Sequence, residues 1–331
     1  MLTIIRNHTY IKYAIVTIWI CNCLLASIIA IRQSWLPYMD AGGIPYADVS
    51  ADTFDGMTMP IRYIPDWSKT IYQNKTTKFQ EIPVNDYVPL PTYDPISLAN
   101  TNDTSRSSLL MHYTYITCYM GSYRLNYKEH DGSHNGIDIR APIGTPVLAI
   151  ANGVVIRAVE ADAVGTRYIV IRHDGINIGG KVQSVYSAYL HLSTIEIREG
   201  TAVRKGMMIG RVGMSGLATT PHLHLQIDTE DAPFHPYWPF TSSESRSAGL
   251  SFFDSINAGL GHDKALRYSF HPINLINTFS SGVIPDATVA TAVNTLEALN
   301  SAPNTPPERE LIPVNASVES IVAGMSALSK V

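Results

Sequence analysis

The chain has 331 residues, 45% of them apolar, enough for one sizeable core with roughly a hundred residues left over for anchors, linkers or a second module. A net charge of -4 with no run of Lys and Arg excludes diffuse attraction to nucleic acid. The three cysteines, Cys21, Cys23 and Cys118, exclude a disulfide framework and a four-cysteine metal site, so any metal must be held by His and carboxylates.

In chain order, the first feature is Tyr13 to Ile31, 19 residues without a charge, closed by Lys12 and Arg32. As a helix it rises about 28 Å, close to the hydrocarbon thickness of a bilayer. Its apolar region is longer than that of a secretory signal, and Ile28-Ile29-Ala30 is a poor cleavage site, so an uncleaved anchor is expected. Arg6 and Lys12 precede it, which places the N-terminus in the cytoplasm and the rest of the chain outside, periplasmic or extracellular; if the segment is cleaved, the protein is secreted. Residues 1–32 are therefore read as cytoplasmic start and membrane anchor or signal.

Residues 33–108 carry recurrent prolines, which suppress long helices and central strands, but Ile61 to Trp67 is too apolar for a solvated linker. The reading is a Pro-rich spacer, partly packed, with the possibility that it plugs the following domain. From Leu109 to Asp228 the texture changes to short β-branched or aromatic runs separated by Gly, Asp and Asn, the pattern of an antiparallel β domain assigned to 109–232. Strands are expected at 112–120, 136–139, 146–151, 154–159, 168–172, 184–192 and 223–227, with loops at 160–167 and 175–184. Gly144-Thr145-Pro146-Val147 followed by Gly153 is echoed about 56 residues later by Gly200-Thr201-Ala202-Val203 followed by Gly206, a weak internal repeat. Residues 233–278 hold aromatics and read as an extension packed on the domain, with His235, His262 and His271 structural or at the surface. Residues 279–331 read as a low-complexity tail with two weak helical patterns.

The chemistry concentrates in three runs. In Pro221-His222-Leu223-His224-Leu225-Gln226-Ile227, alternation with period two puts His222, His224 and Gln226 on one face and the aliphatics on the other. In His134-Asn135-Gly136-Ile137-Asp138-Ile139 the same rule aligns His134, Gly136 and Asp138, with Gly136 leaving room between two candidate ligands. The run Ser187 to Leu192 presents Tyr189 and His191 on one face. Three His and Asp side chains with an open fourth position form a catalytic rather than a structural zinc set, and two further imidazoles can act as general base and hydrogen-bond donor.

At this point the sequence resembles the lysostaphin-type, or LytM-like, zinc metalloendopeptidases, which cleave peptide bonds in peptidoglycan stems and crosslinks. The motifs that carry the likeness are HNGIDIRAPIGTPVLAIANGVVI, YIVIRHDG, YSAYLHLS, GTAVRKGMMIGRVGMSG and PHLHLQI, between about Thr117 and Asp228. The resemblance implies a mainly β fold with an antiparallel β-sheet core of duplicated hybrid motif, one Zn²⁺ per chain on His134, Asp138 and His224, and His191 and His222 as the catalytic histidines. Peptidoglycan peptides would be the partner of the site. Thr220 stands where the family usually has Gly, and Leu225-Gln226 replaces Phe-Glu; neither removes a ligand. Tyr127 and Tyr189 are the candidates for a tyrosine near the metal, and His130 and His173 read as surface or turn histidines. The competing readings are a non-catalytic LytM-like regulatory module and a wall-binding domain with incidental histidines.

Overall fold

A computed structural model of the chain describes residues 53–69, 77–94, 113–123 and 128–280. The anchor expected at Tyr13–Ile31, the candidate Tyr127 and the tail from 281 lie outside the described residues. Among those described, no helix is long and apolar enough to cross a membrane.

Thirteen strands carry the described fold. They are β1 Tyr63–Pro65, β2 Tyr87–Pro89, β3 Tyr115–Thr117, β4 Ile137–Arg140, β5 Pro146–Leu148, β6 Gly153–Val159, β7 Tyr168–Ile178 and β8 Lys181–Leu190. After these come β9 Leu192–Ile195, β10 Ala202–Val203, β11 Met208–Val212, β12 His222–Thr229 and β13 Ser269–Phe270. Every pairing is antiparallel. The main sheet runs β10-β6-β7-β8-β12-β4-β3, with β13 beside β12; β5-β11-β9 form a second sheet and β1-β2 a ribbon.

The expected β domain is present, with four local corrections. The strand expected at 112–120 shortens to β3, and the one at 146–151 to β5. The stretch 175–184 is no loop: β7 and β8 continue to a two-residue turn at Gly179-Gly180, both at positive φ, the conformation that matches strand twist in a tight hairpin. The strand expected to run through 192 breaks at His191, whose φ is 64°.

Gly144 and Gly200, which head the two copies of the repeat, both have positive φ, 92° and 80°. The strands that follow them pair crosswise. β10 of the second copy pairs with β6 of the first, and β11 of the second with β5 of the first.

The core is aliphatic. Ile137, Ile139, Val155, Ile169, Ile171, Leu223, Leu225 and Ile227 are buried, as alternation requires of the face opposite His224. Part of the spacer adds to it: Met57, Ile61, Ile64, Trp67, Phe79 and Ile82 are buried, and Arg140 lies 3.7 Å from the Trp67 ring centroid. Beyond the sheet, the extension forms four short helices, Ser242–Ser247, Phe252–Asn257, His262–Tyr268 and Pro272–Phe279. The last buries Ile273, Leu275, Ile276 and Phe279.

Candidate metal centre

Directly paired residues of antiparallel strands share a face, so the register His224↔Asp138 sets these two side chains side by side. His134 precedes β4 and is tied to Gly121 by an isolated bridge. Its Nε2 lies 3.2 Å from Asp138 Oδ1 and 3.0 Å from His224 Nδ1, while His224 Nδ1 lies 3.0 Å from Asp138 Oδ1. Gly136 is what lets the rings approach: a Cβ there would stand 2.6 Å from His224 Cε1 and 2.7 Å from Nε2.

The outward nitrogens fix which atoms face inward. His134 Nδ1 lies 3.2 Å from the Cys118 carbonyl and donates to it; His224 Nε2 lies 3.4 Å from Gln226 Oε1. Gln226 Nε2 donates to the Tyr237 carbonyl (2.7 Å) and to Asp228, so its amide oxygen is the end left for His224. Asp228 in turn accepts from the Tyr237 N–H (2.8 Å) and from His235 Nδ1 (3.0 Å), and His235 stacks on Tyr186 at 3.7 Å. Each ligand imidazole is thereby held with a lone pair pointed at the carboxylate, the outer-shell arrangement of metal-binding histidines.

This donor set fits a divalent cation. The three atoms form a triangle with edges of 3.0–3.2 Å. Taken as one face of a regular tetrahedron, it has a centre about 1.9 Å from each corner, near the reach of Zn–N and Zn–O bonds. All three residues are buried and form the one His/Cys/Asp/Glu group among the described residues with this geometry. Burial alone would raise the Asp138 carboxyl, but His134 and then His222 outweigh it and hold it well below the ordinary range. Burial would lower His134, and Asp138 reverses that.

His191 and His222 stand beside the cluster with ring centroids 4.7 Å apart. His222 Nδ1 donates to the Thr220 carbonyl (2.7 Å), a backbone contact that Gly would supply equally. His222 Nε2 points inward, 3.7 Å from Asp138 Oδ1. His191 Nδ1 donates to the Ser215 carbonyl (2.8 Å). Burial, with His222 and His224 beside it, pushes His191 down to about 3, so it is a neutral base at working pH.

The expected sharing of a face by Tyr189 and His191 does not hold. Tyr189 pairs with Leu225 on the core face, fully buried, and its hydroxyl accepts from Ile150 N–H at 2.9 Å. Only the positive φ of His191 turns that imidazole to the ligand side. His173 also departs from expectation: it lies inside β7 with no exposure, between the Asn152 carbonyl (2.8 Å) and Ser187 Oγ (2.7 Å). His130 does occupy an exposed turn. His262 and His271 are structural, bonded to the Gly132 carbonyl (2.6 Å) and Glu129 (2.7 Å). Sequence reasoning missed the Gln226-Asp228-His235 chain; the period-two spacing of 224, 226 and 228 was its one visible signal.

Residues 132–236 match the model of peptidase family M23. Over this segment the chain is similar to the M23 peptidases. Its relatives include the peptidoglycan DD-endopeptidase ShyA of Vibrio cholerae, 37% identical over 100 residues, covering 30% of this chain and 21% of that protein. Lysostaphin of Staphylococcus simulans is 36% identical over 96 residues, 29% of this chain and 18% of that protein. The DD-carboxypeptidase/endopeptidase Mpg of Neisseria meningitidis is 38% identical over 125 residues, 38% and 26% of the two chains. The chain thus spans about a quarter or less of these relatives' length. The solved catalytic domain of lysostaphin aligns at 28% identity and a TM-score of 0.27, over 36% of this chain and 79% of that one; the fold rests on the pairing given above. His134, Asp138 and His224, with His191 and His222 beside them, all fall inside the matched segment.

Proposed function

We propose that the protein is a zinc-dependent endopeptidase that hydrolyses peptide bonds in peptidoglycan stems or crosslinks. The observation that carries this reading is the convergence of His134 Nε2, Asp138 Oδ1 and His224 Nδ1 within 3.2 Å of one another, beside two further imidazoles, in a domain whose relatives are named for peptidoglycan endopeptidase activity. His134, Asp138 and His224 would hold the ion, one per chain. When bound, it supplies Lewis acidity toward the scissile carbonyl and a water acidic enough to ionise near neutral pH.

The chain's own residues do the rest. His191 and His222 each donate through Nδ1 to a backbone carbonyl, so each keeps Nε2 for the reaction, one to take the water proton and one to steady the charge growing on the carbonyl oxygen. We assign the fold to the lysostaphin/LytM type with a duplicated hybrid motif, supported by the crosswise pairing of the two Gly-Thr repeats. We place the domain outside the membrane, tethered through residues 13–31; a chain recovered from the soluble fraction with an N-terminus beyond 31 would contradict the tether.

The test of the site is a pair of variants. His224→Ala is expected to lose stoichiometric zinc, while His191→Ala keeps zinc and loses turnover by roughly a hundredfold or more. Peptidoglycan hydrolysis retained by both variants sinks the assignment.

A further inference from the structure

The metal centre has a front and a back. Asp138 and His222 line a cleft of about 190 Å³, whereas the side chains behind His224 take no part in that lining. Alternation along β12 sets His224, Gln226 and Asp228 in one row on the ligand face, and all three are buried. The row ends on a carboxylate that the proposed hydrolysis does not use. A charge taken out of water is costly unless several donors meet it. Three do: the Gln226 amide at Oδ1, and at Oδ2 the Tyr237 N–H (2.8 Å) and His235 Nδ1 (3.0 Å).

The segment that supplies two of these donors is itself fixed. His235 stacks, with ring centroids 3.7 Å apart, on Tyr186, the residue of β8 that pairs directly with Asp228. The Tyr237 carbonyl accepts from Gln226 Nε2 and from Asn135 Nδ2, both at 2.7 Å, so one peptide unit ties the neighbours of His224 and His134 together. Tyr237 lies just beyond residue 236, where the match to family M23 ends. With the Tyr237 carbonyl and the Asp228 carboxylate both accepting, the Gln226 amide has one allowed orientation, Nε2 toward them and Oε1 toward His224 Nε2 at 3.4 Å. An acceptor there favours the His224 tautomer with its proton on Nε2. Asp138 pulls the other way: a carboxylate oxygen 3.0 Å from Nδ1 attracts a proton to the very atom the ion needs.

We propose that Asp228, held by His235 and the Tyr237 N–H, is a positioning residue of the metal centre: it locks the Gln226 amide and thereby keeps the His224 proton on Nε2 and Nδ1 open for the ion. Asparagine at 228 would break the lock. The Tyr237 backbone N–H cannot reverse, so the asparagine oxygen stays with it and the N–H₂ faces Gln226. That amide must then turn or withdraw, and in both cases His224 Nε2 loses its acceptor. The inference rests on the zinc endopeptidase reading for the identity of the ion; it assigns residues 235–237 a part in metal affinity.

The experiment measures the zinc affinity of the full chain by competition with a chelating dye, with folding followed by circular dichroism. Asp228→Asn is expected to bind zinc about 10–100-fold more weakly. Gln226→Glu alone is expected to weaken binding as well, because it sets two carboxylates against each other. Together the two substitutions exchange the places of acid and amide: Asn at 228 donates to Glu at 226, which accepts from His224 Nε2. The double variant is therefore expected to bind zinc more tightly than either single variant, a coupling that a merely structural Asp228 does not produce. Should Asp228→Asn fail to fold, the comparison of Gln226→Glu with the double variant decides the same point. Wild-type affinity in Asp228→Asn, or a double variant that binds no more tightly than the singles, overturns the inference. A wild-type chain without zinc affinity overturns it together with the metal site. Failure of the endopeptidase reading alone shows separately, as wild-type chain that takes up zinc and leaves peptidoglycan uncut, and the affinity ratios still decide the role of Asp228.

Discussion

The imidazole of His224 serves the cluster only with Nδ1 inward, and Gln226 is the residue that enforces this by taking up Nε2. Gln226→Leu removes that acceptor and leaves Asp228 short of a donor in a buried place. Loss of an outer-shell partner of this kind costs about 10–100-fold in metal affinity, so the variant is expected to hold zinc that much more weakly with its β-sheet circular dichroism intact. Gly136→Ala acts on the same ring from the other side and is expected to abolish stoichiometric zinc, because the added methyl meets the His224 ring at 2.6 Å and the Leu225 carbonyl at 2.7 Å. Full zinc content in the alanine variant would contradict the packing argument. His173 gives a separate, pH-dependent prediction. Burial pushes it down to about 4, below the ordinary 6.5, so the unfolded chain takes up the proton first and stability falls as pH drops through 6.5 toward 4. Between pH 7 and 5 this one group is expected to cost about 2 kcal/mol, read as the part of the urea-unfolding loss that disappears in His173→Gln. The candidate ligands were legible in the sequence because alternation alone places 134 with 138 and 222 with 224. His191 was legible through the resemblance of the YSAYLHLS run and not through alternation, because its orientation depends on a single positive φ that no periodicity announces.

Strands in this chain are short, and their existence was easier to read than their ends. The β7-β8 hairpin was missed as a continuous element because Asp174, Gly175 and Gly179-Gly180 all look like breakers, whereas only the last pair makes the turn. The helices of the extension left local rather than periodic signals: Thr241 and Glu244 form a reciprocal cap, and Pro272 opens the last helix behind His271. With six to eight residues each, they show no more than two turns of apolar period. Their contribution is nevertheless measurable. Ile276 is fully buried in the helix Pro272–Phe279, whose Phe279 meets Phe54 edge-on at 5.2 Å. Ile276→Ala is expected to destabilise the protein by about 2–5 kcal/mol, the range for a buried aliphatic truncation. A change below 1 kcal/mol on this scale in denaturant unfolding would show that the extension is not part of the cooperative core.

Across the molecule, the described spacer residues behave as part of the domain rather than as a plug. Thr58 N–H donates to the Ile150 carbonyl (2.8 Å), Leu148 N–H to Pro60 (2.9 Å), Met57 N–H to Phe279 (3.0 Å) and Phe79 N–H to Ile143 (2.9 Å). None of the residues lining the cleft comes from 53–69 or 77–94. Deleting 53–94 is therefore expected to lower the melting temperature without raising turnover per folded molecule; a gain in turnover would favour the plug. The partial packing of this spacer was foreseeable from Ile61 to Trp67, but its partners were not, since they lie some 60 to 220 residues away in sequence. The sheet and the extension hold the candidate metal centre between them, and the described spacer packs against the sheet and the last helix away from it. The most direct test of that account is mass spectrometry of purified peptidoglycan incubated with the full chain, zinc-loaded and zinc-free. The account predicts fragments carrying new peptide amino termini with zinc and none without it, and intact peptides in both samples would contradict it.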